Sequence, residues 1–169
     1  MNLSGVTWRA LTGYDLPAVD KIAETVHPDF FETSDVLAER QRLYRNGCYL
    51  LELGERPAGY VLSHPWRYGS LPALNAPLGA IPEGADTYYI HDLALLPVAR
   101  RVGAATRIVR ALTKHADAEG YQTMTLVAVN GSIPFWEKHG FVVADVPELY
   151  GKLLSYDETA RYMVKHLPR

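Results

Sequence analysis

The chain has 169 residues, 48% of them hydrophobic and 21% charged, with a formal net charge of −2. That length suits one folded domain spanning 1–169, with a real core and the composition of a globular protein in water. A slightly acidic chain offers no broad basic field for nucleic acid, and no apolar run reaches membrane-spanning length. The N-terminal Met1-Asn-Leu-Ser-Gly lacks the basic and apolar regions of a signal peptide, so the expected location is the cytoplasm. The single cysteine, Cys48, has no internal partner for a disulfide and reads as a small buried apolar residue.

Val6 to Leu11 reads as a first strand. Asp15 offers a helix cap with Pro17 in the first turn, and Leu16, Val19, Ile22, Ala23 and Val26 recur at helical spacing. Thr33-Ser34-Asp35 can cap a second helix carrying Val36, Leu37, Leu43 and Tyr44, with Gly47 as its stop. Cys48–Leu53 and Ala58–Ser63 flank Gly54-Glu55-Arg56-Pro57 and predict a hairpin. The stretch 66–86 is rich in Pro and Gly; a connection this long is functional, mobile or a disordered insertion. Thr87 to Leu95 is a fourth strand. Ala105, Ile108, Val109, Leu112 and Ala116 form the buried stripe of a helix that Gly120 ends. Thr123 to Val129 is a strand covered on both faces, and Ile133 to His139 a short helix stopped by Gly140. Phe141–Val146 and Ala160–Leu167 read as a closing pair of strands. The order predicts an α/β fold: one mixed, mostly antiparallel sheet of six to seven strands flanked by helices.

The most informative stretch is Asp92-Leu-Ala-Leu-Leu-Pro-Val-Ala-Arg-Arg-Val-Gly-Ala-Ala-Thr106. A strand that turns through small residues into a helix aims free N–H groups and the positive end of the helix dipole at one point, a cradle for phosphate. Gly103 and Ala105 allow close approach, and Arg100 and Arg101 add charge. The glycines of a Rossmann fingerprint and the Gly-Lys-Ser/Thr of a Walker loop are absent. Downstream stands Thr125-Leu-Val-Ala-Val-Asn130-Gly-Ser-Ile-Pro-Phe-Trp-Glu-Lys-His-Gly-Phe141. Arg100-x-x-Gly103-x-Ala105 resembles the acyl-CoA motif of the GNAT superfamily of N-acetyltransferases. The second segment resembles that family's strand, Asn, short helix and Phe-Tyr-Glu-Lys-x-Gly-Phe, in the family's order and spacing.

The resemblance implies a sheet whose fourth and fifth strands splay apart around acetyl-CoA. The pantetheine arm would pair with the backbone of Leu93, Ala94 and Leu95, an amide-bearing ligand taking up main-chain groups that the splay leaves unpaired. The pyrophosphate would sit on the amides of Val102, Gly103, Ala104, Ala105 and Thr106, beside Arg100 and Arg101. Asn130 would orient the arm from the opposite strand, with Phe135 and Trp136 packed alongside. It further implies acetyl transfer to a primary amine of a small molecule or peptide, in a family where homodimers are common.

Acetyl transfer needs an amine that has lost its proton and a donor to the thioester oxygen; a backbone N–H near Leu95 can serve as that donor. For the base, His91 and Asp92 stand out. His91 falls where some relatives have Glu, and imidazole suits proton abstraction near neutral pH. Successive residues of a regular strand point to opposite faces, so at most one of the two reaches the cleft unless a bulge intervenes. The base is left between His91, Asp92 and a chain of water. Where the family carries an acidic tyrosine this chain has Trp136, whose N–H can donate a hydrogen bond but not deliver a proton. Ser132, Tyr150 and Tyr156 are alternatives, as is unassisted departure of the thiolate. The remaining histidines show no metal-ligand spacing. Phe30, Phe31, Trp66 and Tyr68 point to an aromatic-contacting acceptor, while Asp29, Glu32, Glu83 and Asp86 point to a cationic one. A chain with the cofactor cradle but without the family tyrosine is compatible with two functions: an acetyltransferase, or a CoA-binding sensor or interaction module with weak turnover.

Overall fold

A computed structural model describes residues 5–168. Its elements, in chain order, are β1 (Val6–Ala10), α1 (Leu16–Val26), α2 (Ser34–Leu43), β2 (Cys48–Leu53), β3 (Arg56–Trp66), β4 (Thr87–Leu95), α3 (Ala104–Ala118), β5 (Thr123–Ala128), α4 (Ile133–Lys138), β6 (Val142–Val143), α5 (Tyr150–Tyr156) and β7 (Arg161–His166). The seven strands make one sheet in the order β1-β2-β3-β4-β5-β7-β6. Every pairing is antiparallel except β4 with β5, which is parallel. No helix among the described residues is long and apolar enough to cross a membrane.

Alternation along the strands sorts the core onto two faces. Val61, Tyr88, Ile90, Leu126 and Met163 pack with the stripe of α3 (Ile108, Val109, Leu112, Ala116) and with Trp136 of α4. Tyr60, Leu62 and Ala94 face the other way, against Val19 and Ile22 of α1 and Leu37 of α2. Tyr89 and Tyr162 lie on that second face too, beneath Leu149 and Leu153. At Gly47, between α2 and β2, an added Cβ would come within 2.2 Å of the Ser63 carbonyl oxygen and 2.6 Å of the Tyr88 hydroxyl. This glycine is required by close packing; α2 itself ends earlier, at Leu43, and not at Gly47 as expected. Asp15 precedes α1 without capping it by its side chain. Its carboxylate instead takes the Thr12 N–H and a two-pronged contact from Arg9, each bond at 2.8 Å.

The connection 67–86 is stapled down by hydrogen bonds. The Glu39 carboxylate accepts the N–H groups of Leu78 and Gly79. Arg40 donates to the Ala76 carbonyl, Glu32 accepts the Asn75 N–H, and the Tyr156 hydroxyl donates to the Pro72 carbonyl. Leu71, only 2% exposed, anchors the loop in the core under α5. Two charged residues of α2, Glu39 and Arg40, are buried here; these bonds satisfy the Glu39 carboxylate and one Arg40 nitrogen, which also meets Glu39.

β3, expected over 58–63, runs from Arg56 to Trp66 and takes in two residues of the expected turn, and two further elements depart from the sequence-based expectation. The strand expected over 141–146 is only Val142–Val143, and it pairs with β7 at the sheet edge. Residues 147–156, assigned to no element by the sequence, form a short 3-10 turn and α5. A seven-residue helix containing a glycine and a serine has little intrinsic propensity. Leu153 and the preceding Leu149, both buried, hold it to the sheet.

Candidate active site

β4 and β5 pair only over Tyr88–Ile90 and Met124–Leu126. Beyond that point β4 follows β3 as far as Leu95, while β5 follows β7 through Ala128. The two strands therefore part after Ile90, and the expected splay is present. A cavity of about 720 Å³ opens there. Its walls include Leu93 and Leu95 of β4, the turn from Arg100 to Thr106, and Asn130, Ser132, Phe135 and Trp136 from the far side.

The turn into α3 is built by backbone conformation. Arg101 (φ 69°) and Gly103 (φ 79°) are both left-handed, and Gly103 is the residue that caps α3. An added Cβ at Gly103 would meet nothing within 4 Å, so the glycine answers to its φ and leaves the helix end open to a ligand. The first helical bond in this turn runs from the Arg107 N–H to the Gly103 carbonyl, and the N–H groups before it are free of intrahelical partners. Two contacts from the N-terminal strand hold the turn in place. The Trp8 indole donates to the Ala104 carbonyl at 2.9 Å, and Arg107 donates to the Val6 carbonyl at 3.1 Å. Arg100 folds back onto the Leu95 carbonyl.

Of the residues expected to hold the cofactor, Leu93, Leu95, Arg100, Arg101, Gly103, Ala104, Ala105, Thr106, Asn130, Phe135 and Trp136 line this cavity. Ala94 and Val102 do not. Ala94 turns its methyl group into the cluster under α1, and Val102 packs with Leu51, Ala58 and Ala99.

The bulge that sequence reasoning allowed is present, and it decides the chemistry of β4. The β3–β4 register slips between Leu62, opposite Asp92, and Ser63, opposite Ile90, leaving His91 without an opposite residue. Ile90 therefore faces α3 while His91 and Asp92 both turn toward the α1–α2 side. Each meets a partner that sequence reasoning left in another role. His91 Nε2 lies 2.7 Å from Glu32, and His27 Nε2 lies 2.8 Å from Asp92 Oδ1. The Tyr60 hydroxyl donates to the other Asp92 oxygen at 2.5 Å. His27 Nδ1 is 3.4 Å from the Asn130 side-chain nitrogen, so Asp92, His27 and Asn130 form a bridge across the mouth of the splay. The partners are separated by 65 and 59 positions in the chain, and no local spacing marks them.

The electrostatics follow from this pairing. Burial alone would raise the Glu32 carboxyl, but His91, the Asn75 N–H and Arg40 outweigh it and bring it down to about 2. Burial disfavours the His27 cation, and the Asp92 and Glu32 carboxylates together more than offset that and Arg100, so His27 titrates above its ordinary value. His64, edge-on to Trp66 and near His91, is pushed by burial down to about 3 and is neutral. Cys48 is fully buried, and burial raises its thiol to about 12, which leaves it unreactive. Tyr150 and Tyr156 are not in the cleft. Tyr150 is exposed and bonds Asp145, and Tyr156, the last residue of α5, packs on the Leu71, Tyr89 and Tyr162 cluster with its hydroxyl on Pro72. Among the proposed proton donors only Ser132 lines the cavity. No cluster of three or more metal-ligating side chains gathers among the described residues.

A second cavity of about 490 Å³ lies between α1 and α2. Asp20, Glu24, Glu32, Phe30 and Phe31 line it, and so does His27, which it shares with the first cavity.

Comparison with known proteins bears on the whole chain. No curated protein sequence matches it. Among solved structures, Ard1 from Thermoplasma volcanium is similar with a TM-score of 0.74 at 16% identity, covering 98% of this chain and 99% of that one. The GNAT-like decarboxylase GphF, in complex with isobutyryl-CoA, gives a TM-score of 0.78 at 13% identity over 96% and 100%. Naa50 from Arabidopsis thaliana, in complex with the bisubstrate analogue CoA-Ac-MVNAL, gives 0.69 at 14% identity over 95% and 98%. At such identities these likenesses establish the fold, and the fold carries more than one chemistry. Residues 16–141 match the profile of the acetyltransferase (GNAT) family, and the chain belongs to that family.

Proposed function

We propose that this protein is an N-acetyltransferase moving the acetyl group of acetyl-CoA to a primary amine of a small molecule or peptide. The observation that carries this reading is the meeting, in one cavity, of a parted β4–β5 pair, the open α3 turn and the paired side chains of Asp92 and His27. The parted strand offers main-chain groups to the pantetheine arm around Leu93–Leu95. The N–H groups of 102–106 and the positive end of α3, flanked by Arg100 and Arg101, hold the pyrophosphate. A backbone N–H near Leu95 supports the thioester oxygen as charge develops on it. His91 and Asp92 are the catalytic candidates of β4, one tied to Glu32 and the other to His27.

Trp136 favours a second reading, a CoA-binding module with weak or no turnover. It stands where the family tyrosine would be, and neither Tyr150 nor Tyr156 reaches the cleft to replace it. The first reading answers that a CoA thiolate is a good enough leaving group to depart without an acid. Thiol release from acetyl-CoA, followed with a panel of primary amines, amino acids and peptides, separates the two. Steady release with any acceptor supports the enzyme. CoA binding by calorimetry without release from any acceptor supports the module.

A further inference from the structure

We propose that His27 is the group that takes the proton from the acceptor amine, with Asp92 as its positioning residue. This rests on the acetyltransferase reading above.

The placement of His27 is the first reason. It is shared by the wall of the cofactor cavity and the wall of the cavity between α1 and α2. An amine held in the second cavity and a thioester in the first would share this ring as a neighbour. The second reason is orientation. Nε2 is held on Asp92 Oδ1, and Asp92 is itself held by the Tyr60 hydroxyl. A carboxylate on one ring nitrogen places the proton there and leaves the lone pair on the other. That nitrogen, Nδ1, faces Asn130 across the splay. The third reason is the contrast with His91. The His91 side chain is 3% exposed against 15% for His27, its Nε2 is committed to Glu32, and its Nδ1 is buried without a partner among the described residues. His91 also borders the cofactor cavity, but its Nε2 is tied to Glu32 and its other nitrogen is buried, so neither is turned to an incoming amine.

The charged groups around His27 come from three places: Asp92 on β4, Glu32 on the loop after α1, and Arg100 on the turn after β4. The edge of Phe30 closes another side. The two carboxylates outweigh Arg100 and burial together, so the ring holds a proton more strongly than an ordinary histidine.

The step balances. The ammonium gives one proton to His27 Nδ1. The neutral nitrogen attacks the thioester carbonyl carbon and forms the C–N bond. The C–S bond breaks with its electron pair on sulfur, and the nitrogen's surplus proton passes to that thiolate. His27 then returns its proton to solvent through the second cavity. The products are the amide and CoA thiol.

The test is steady-state kinetics against pH with acetyl-CoA and three probe amines: phenethylamine, spermidine and an alanyl peptide with a free N-terminus. The variants are His27→Gln, Asp92→Asn and His91→Gln, with CoA affinity measured by calorimetry. Wild-type kcat/KM should rise through an ionisation above the ordinary histidine value. His27→Gln should lose about 10²-fold or more in kcat near neutral pH and keep its CoA affinity within a few-fold. It should also recover toward wild type at a pH where the free amine is already neutral, which a merely structural role would not produce. Asp92→Asn should move the ionisation to lower pH, and this shift decides the matter if His27→Gln does not fold. His91→Gln should keep the ionisation. A wild-type profile in His27→Gln, or loss of the ionisation in His91→Gln alone, overturns the assignment while leaving the acetyltransferase reading intact. Failure of the wild type to acetylate any acceptor while it binds CoA overturns both.

Discussion

Replacing Gly103 by Asp puts a charge in the α3 cradle at little cost to the fold. The residue has φ 79° and caps α3, and a Cβ there meets nothing within 4 Å. Asp and Asn are the side chains that best tolerate a left-handed backbone and are also favoured at a helix cap. The net cost to folding should be about 1 kcal/mol, a fall in Tm of about 2–4 °C for a chain of this size. Binding should suffer far more. A carboxylate about 5 Å from a phosphate charge, at an effective dielectric of about 20, costs about 3 kcal/mol. That is a loss of CoA affinity of more than about a hundredfold. Gly103→Asn is the control, with the same shape and backbone tolerance but no charge. Calorimetry with CoA should show Asn near wild type and Asp severely weakened, with the gap narrowing as salt screens the repulsion. A folded Gly103→Asp that binds CoA like the wild type would place the phosphates elsewhere.

Trp136→Phe should reduce turnover by less than about tenfold, or about 1.4 kcal/mol in the barrier; a loss of several orders of magnitude with normal CoA binding would give the indole a chemical role. His91→Ala should destabilise the fold by about 3 kcal/mol in urea unfolding, because it strips the Glu32 carboxylate, whose side chain is 7% exposed, of its main partner. His91→Gln, which keeps a donor, should cost much less, and equal losses would contradict this pairing. Glu32 and Asp15 are each brought down to about 2. A lowered carboxyl contributes stability that is full above its ordinary range and is lost as pH falls toward the folded value. Urea midpoints should therefore fall between pH of about 4.5 and 2, and less steeply in Glu32→Gln; parallel curves would remove Glu32 from that account. Gly47→Val should prevent folding, since its side chain would overlap the Ser63 backbone and the Tyr88 hydroxyl. A soluble variant with a near-native melting temperature would contradict that packing.

Much of the site was legible in the chain because it is local. The cradle of residues 100–106 is one turn between one strand and one helix, and its glycine and arginines are neighbours in sequence. The same holds for Asn130, Phe135 and Trp136, carried on a single strand end and short helix. Helices α1 and α3 announced themselves by apolar spacing, and β4 was read over Thr87–Leu95, as observed. The splay was expected from the family resemblance, and the pairing of β4 with β5 over only three residues of each strand bears it out.

What the tertiary structure alone decided is everything that depends on meeting across the sheet. His91 and Asp92 face the same side because β3 slips by one residue against β4, and no feature within β4 reports the register of its neighbour. The partners of those two residues, Glu32 and His27, arrive from the end of α1 and the loop that follows it. The 66–86 connection, read from its prolines and glycines as functional, mobile or a disordered insertion, is held by donors and acceptors on α2, α5 and Glu32. In each case the deciding bond joins residues distant in the chain. Local propensity and spacing describe what a segment can form alone; which buried charge meets which is set only when packing brings the segments together.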